Sequence, residues 1–162
     1  MKSRSRFVDE DAARLAVSLA RPAIEAALHD AAISGQHVLH LVVLDPAARP
    51  GTCRFEEAIL HEQTLGQQNR ATWDADYAAY ARDKAALSWR HGIDSRRLQL
   101  LEPHRLGAED RLVWGGVCLD GIVVAASGAM PQWDEAFSLW VAGNVRALAY
   151  QRSAAAGGRQ AR

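Results

Sequence analysis

Hydrophobic spacing changes period several times along the chain, and each change predicts an element. Asp9 or Asp11 can cap a first helix whose apolar positions include Leu15, Leu19, Ala23, Ala26 and Ala27. Pro22 removes a backbone donor inside it, giving either one kinked helix or two abutting ones, and Gly35 is the expected stop. Residues 37–45, HVLHLVVLD, are apolar on both pleat faces from Leu41 to Leu44. Such a strand must be covered on both sides, by helices or by a partner subunit. Residues 46–51 read as a turn, 53–60 (CRFEEAIL) as a second strand and 63–72 as a polar loop.

A helix is expected from Trp73 to His91, stopped by Gly92, and then an irregular connection over 93–110. Two strands follow, at 112–118 and 122–127. Asp120-Gly121 between them is the signal for a two-residue type I′ turn, which needs φ > 0 at both positions. Pro131 suits the first turn of a last helix whose buried stripe is Trp133, Phe137, Trp140, Val141, Val145 and Leu148. The order helix–hairpin–helix–hairpin–helix predicts an α+β domain, a mainly antiparallel sheet with flanking helices. Its expected limits are residues 9–152, between a disordered arm (1–8) and a disordered tail (153–162).

Composition narrows the function classes. The chain of 162 residues suits one domain, and nineteen basic residues balance nineteen acidic ones. No overall field recruits nucleic acid or an anionic membrane, so neither is expected as a partner. No apolar run approaches the roughly 18 residues of a membrane span, and the N-terminal residues lack a signal peptide's apolar core, so a cytoplasmic address is expected. Two cysteines, Cys53 and Cys118, are too few for a disulfide framework. The six histidines are scattered without metal-ligand spacing, and no HExxH, CxxC, GxSxG, Walker A or GxGxxG motif occurs. No metal is expected. His91 is the histidine best placed to be a lone axial ligand to haem.

The central helix carries the sharpest chemical signal. Trp73, Tyr77, Tyr80, Lys84, Leu87 and His91 share one helical face, so a lysine sits within the stripe that should meet the sheet. Lys84 and Lys2 are the only lysines. A buried ammonium needs a partner. Three readings are open: an internal carboxylate such as a glutamate of the second strand, a carboxylate on a bound ligand, or a lysine snorkelling at the rim. Gly115-Gly116 inside a strand marks a bulge or a close approach by backbone or ligand. Ser127-Gly128 leads into the last helix, where free N–H groups favour an anion unless Asp134 and Glu135 already satisfy them.

The segments DKAALSWRHGIDS and WGGVCLDGIVVAASGAMPQWDEA resemble the GlcG-like haem-degrading domain family. That family includes extracellular haem-binding proteins and the C-terminal domain of PduO-type cobalamin adenosyltransferases. The matching features are Lys84-Ala85, Gly115-Gly116, Asp120-Gly121, Ser127-Gly128 and Asp134-Glu135. Tyr80, Arg82, Lys84 and His91-Gly92-Ile93-Asp94-Ser95 are most similar to a poorly characterised cytosolic subgroup. Ile93 stands where that subgroup has histidine, and Cys118 where the family has proline. The resemblance implies a profilin-like layered domain, a homo-oligomer built from dimers, and a small-ligand site that in some members holds haem or a corrinoid.

The expectation is therefore an oligomeric cytoplasmic small-ligand-binding protein, with haem or a related tetrapyrrole as the candidate cofactor. Its site would use Lys84 as counter-charge to a ligand carboxylate, Tyr80 and Trp114 as walls, and Gly115, Gly116 and Gly128 for backbone approach, with Ser127 and His91 beside them. A protein-interaction or assembly module is the alternative, and a haem-degrading enzyme comes third because no acid–base or nucleophile constellation stands out.

Overall fold

Val38–Leu44 (β1) is buried at every position, because helices cover both faces of the sheet it centres. The computed structural model describes residues 4–157. In chain order these form α1 (Glu10–Leu28), β1, α2 (Phe55–Ala58), β2 (Ile59–Gly66), α3 (Tyr77–His91), α4 (Ser95–Leu101), β3 (Gly116–Leu119), β4 (Ile122–Ser127) and α5 (Pro131–Ala155). The four strands lie in the order β2-β1-β4-β3, with antiparallel neighbours throughout. The α+β class and the antiparallel sheet are as the sequence predicts.

Pleat alternation divides the core. Leu39, Leu41 and Val43 face α1 and α5, whereas Val42, Leu44, Val123 and Ala125 face α3. α1 and α5 run antiparallel beside one another: Asn144 donates to the Ala16 carbonyl (3.0 Å), and Arg152 reaches Asp9 (2.8 Å). The Asp120-Gly121 turn has φ of 51° and 84°, the type I′ geometry, and Pro131 opens α5.

Several boundaries differ from the sequence reading. Residues 4–8 do not form a free arm: the Ser5 N–H donates to Asp45 (3.2 Å) and Val8 is buried. Residues 1–3 and 158–162 of the expected arm and tail lie outside the described residues, and α5 carries the chain on to Ala155. α1 is one helix that contains Pro22 and ends at Leu28, well before Gly35. Its buried side is Ala12, Ala13, Ala16, Val17, Ala20 and Ile24, while Leu15 and Leu19 point outward. Alanines face inward because α5 lies close beside the helix. Phe55–Ala58 is a helical turn, and the second strand runs over 59–66, into the predicted loop. Leu60 bulges where the β1–β2 register slips, so Leu60 and Leu65 share a face despite their odd spacing. α3 starts at Tyr77, capped by Asp76, so Trp73 lies outside it, and the 93–110 connection contains α4. Trp140 is 40% exposed instead of core.

Candidate functional site

α3 lies close on the sheet because its inward residues are small: Ala78, Ala81, Ala85 and Ser88. A Cβ at Gly116 would fall 2.5 Å from the Lys84 carbonyl oxygen and 2.6 Å from Ser88 Oγ, so only glycine permits this approach. The close contact carries the Lys84 side chain into the interior, where 7% of it is exposed. Its Nζ donates to Asp134 Oδ2 (2.9 Å) and to the Ala126 carbonyl (3.0 Å). Asp134, in the first turn of α5, has 4% of its side chain exposed and also accepts from the Ala129 N–H (2.9 Å). Burial pushes its carboxyl up to about 6, against the pull of the Lys84 ammonium and the backbone donors. The lysine's partner is thus internal, and it comes from α5 instead of the second strand.

The glycines serve the same pair. At Gly115 (φ +120°) a Cβ would lie 2.7 Å from the Ala126 carbonyl oxygen and 2.9 Å from Asp134 Cβ. At Gly128 (φ +135°) it would lie 2.3 Å from the Val38 carbonyl oxygen. The protein's own atoms occupy the space that the sequence reading reserves for a ligand's approach.

A cleft of about 390 Å³ nevertheless opens above the pair. Tyr80, Trp114, Leu112 and Pro131 form its walls, and Lys84, Asp134 and Ser127 line it below. The Arg111 guanidinium sits 5.2 Å from the centre of the Tyr80 ring and pairs with exposed Asp83 (3.2 Å). Four of the expected site residues, Tyr80, Lys84, Trp114 and Ser127, therefore meet in one place. His91 does not join them: its Nε2 lies 3.2 Å from Asp110, which also holds Arg90, and Arg105 donates to its carbonyl (2.7 Å). Its expected role as an axial ligand at this cleft has no geometric basis.

On the opposite flank of α3 is a larger cleft, about 550 Å³, that the sequence reading misses. His40 and Thr64 are direct partners across β1 and β2. His40 Nδ1 lies 2.8 Å from Thr64 Oγ1, and its Nε2 lies 3.2 Å from Glu62 Oε1. Arg82 grips both Glu62 oxygens, through Nε at 2.8 Å and Nη2 at 2.5 Å. Burial raises the Glu62 pKa, but hydrogen bonds from His40 and Arg82 outweigh it and hold the carboxyl down at about 2. The one available signal was a histidine within the apolar run of β1. Of its partners, Thr64 lies in the segment 63–72 that the sequence reading makes a loop, and Glu62 lies just before it, between the expected strand and that loop. Among the described residues, no group of three His, Cys, Asp or Glu side chains is placed to hold a metal ion.

No family model matches the chain, and no curated protein matches it. Among solved structures it is similar to the crystal structure of Klebsiella pneumoniae protein ORFY, of the family DUF336, with a TM-score of 0.54. That match has 14% identity and covers 91% of this chain and 98% of the other. DUF336 corresponds to the GlcG-like domain, and at this identity the likeness is one of fold.

Proposed function

We propose that the protein is a cytoplasmic small-ligand-binding protein whose site is the cleft between α3 and the start of α5. The observation that carries this reading is the buried Lys84–Asp134 pair beneath that cleft. A buried ion pair often stabilises a fold no better than apolar residues of the same volume, so stability alone does not account for it. As a polar floor under Tyr80 and Trp114 it suits a flat, largely apolar ring that carries a few polar groups. Haem or a related tetrapyrrole fits that description. Lys84 is matched by Asp134 and offers no free charge, so the counter-charge to a ligand carboxylate passes to Arg111. Its exposed pairing with Asp83 is readily exchanged. The free thiols of Cys53 and Cys118 agree with a reducing compartment. Titration with haemin is expected to give a Soret shift that saturates at a fixed stoichiometry. Trp114→Ala is expected to weaken binding about tenfold, the equivalent of one lost stacking wall. A shift that never saturates removes the reading.

A protein-interaction or assembly module without a bound cofactor is the second reading, and one surface that would join copies of the chain favours it. Leu15 and Leu19 of α1 are 44% and 59% exposed, and Leu139 and Trp140 of neighbouring α5 are 39% and 40% exposed. Apolar side chains placed outward on two adjacent helices are the usual material of a subunit contact. An assembly module needs no ligand, so a colourless oligomer that ignores haemin favours this alternative.

A further inference from the structure

The His40 cleft has a chemistry of its own, independent of the ring-binding reading. Glu62 is ionised at neutral pH and can only accept hydrogen bonds. The His40 nitrogen facing it, Nε2, must therefore carry a proton. In a neutral imidazole the other nitrogen, Nδ1, is then the acceptor, and the Thr64 hydroxyl at 2.8 Å must donate to it. With the imidazole neutral, the contacts form an ordered chain: hydroxyl, imidazole, carboxylate, and an arginine that fixes the carboxylate from behind. His40 is only 3% exposed, so its ring cannot swing away, whereas Thr64 is half-buried and lines the cleft. Nucleophile, base and orienting acid stand in the sequence that acyl transfer uses, with the two ring nitrogens exchanged relative to the serine-protease arrangement.

We propose that this cleft is an acyl-transfer site, with Thr64 as nucleophile and His40 as general base toward small esters. Thr64 Oγ1 forms a bond to the ester carbonyl carbon as its proton passes to His40 Nδ1. The carbonyl–leaving-group bond then breaks, and the departing oxygen takes that proton from His40. Water, deprotonated by the same nitrogen, releases the acid and restores the hydroxyl. Glu62 and Arg82 are positioning residues that hold the imidazole in its tautomer. Arg70 lines the same cleft and stacks on Trp73, with its centre 5.3 Å from the ring, and it supplies positive charge for the developing oxyanion. Phe55 and Ala78, Ala79 and Ala86 leave room for a short acyl chain. Glu56, Asp76 and Asp83 at the walls favour uncharged or cationic leaving groups.

The test is p-nitrophenyl acetate, with nitrophenol release followed by absorbance and acid-quenched protein digested for mass spectrometry. The expected result is an acetyl group on the peptide containing Thr64. Release should fall to the buffer rate in Thr64→Val, which keeps the shape without the hydroxyl, and persist in Thr64→Ser. His40→Gln should slow release by about 100-fold, and Glu62→Gln should lower kcat while KM holds. Haemin titration of Thr64→Val should match the wild type, so failure here and failure of the ring-binding reading are distinguishable. Acetylation mapped to another residue, or undiminished release by a folded Thr64→Val, overturns the proposal. If Thr64→Val does not fold, the position of the wild-type adduct decides.

Discussion

Replacing Lys84 with methionine tests the buried pair most directly, since it keeps the volume and removes the charge. The variant leaves Asp134 with its backbone donor at 2.9 Å and no cation, and leaves the Ala126 carbonyl without its 3.0 Å donor. Breaking a buried pair by removing one partner costs about 3–5 kcal/mol. The size of that loss should depend on pH, and the sign follows from Asp134. Its folded pKa, already raised from 3.8 to about 6, rises further once Lys84 is gone. A raised carboxyl pKa favours the native state at low pH, and that contribution is lost as pH rises through the folded value. In the wild type most of the loss is complete near pH 6. In the variant it continues upward at about 1.4 kcal/mol per pH unit. Urea unfolding at pH 6 and pH 8, at constant slope, should therefore show a variant penalty about 2 kcal/mol larger at pH 8. A penalty under about 1 kcal/mol at pH 8, or one equal at both pH values, refutes the reasoning, because a lysine in contact with water would behave that way.

Gly116→Ala forces a methyl group against the Lys84 backbone oxygen at 2.5 Å, and α3 must lift; thermal melting should show a loss of about 2 kcal/mol, roughly 5 °C in a chain of this size. An unchanged melting temperature would mean that α3 does not lie so close. Leu15→Glu with Leu19→Glu should leave stability within about 0.5 kcal/mol yet reduce the mass measured by light scattering if the α1 surface joins subunits; an unaltered mass removes that surface from assembly. The Glu62 carboxyl is held below its usual 4.5, down to about 2, so it contributes stability above pH 4.5 that is lost as pH falls toward 2. Glu62→Gln should flatten that acid limb of the urea midpoint, and an unaltered limb would mean that the Arg82 and His40 contacts do not form.

What the sequence makes legible is decided locally. The Asp120-Gly121 turn, the entry of α5 at Pro131 and the stop at Gly92 each follow from one or two residues whose backbone options are few. Distant packing decides the rest. Leu15 and Leu19 of α1 read as part of its core face, yet four alanines with Val17 and Ile24 fill it, because α5 lies close beside the helix. β2 hides behind the bulge at Leu60, which breaks the alternation that marks a strand. A lysine within the inward stripe of α3 is visible from spacing, but its partner Asp134 lies fifty positions away and no local pattern points to it. The His40 cleft is lost with β2: once residues 63–72 are taken as loop, Thr64 no longer faces His40.

Both clefts depend on how low α3 sits. Arg82 and Lys84 are two residues apart, about 200° around a helix, and they project to opposite flanks. Arg82 ties one flank to Glu62 on β2, and Lys84 ties the other to Asp134 on α5. The two ties are unequal. Arg82 is half exposed, so solvent weakens its pair, whereas the Lys84 pair is nearly dry and cannot be traded for water contacts. Apolar residues at 84 and 134 could hold the helix at the same height, but they would leave the smaller cleft without a polar floor. The glycine at 116 and the small residues at 81, 85 and 88 bring the helix down far enough for that floor to form. Close packing and an ionic floor together are what the proposed binding site would need, and packing alone would not select the lysine.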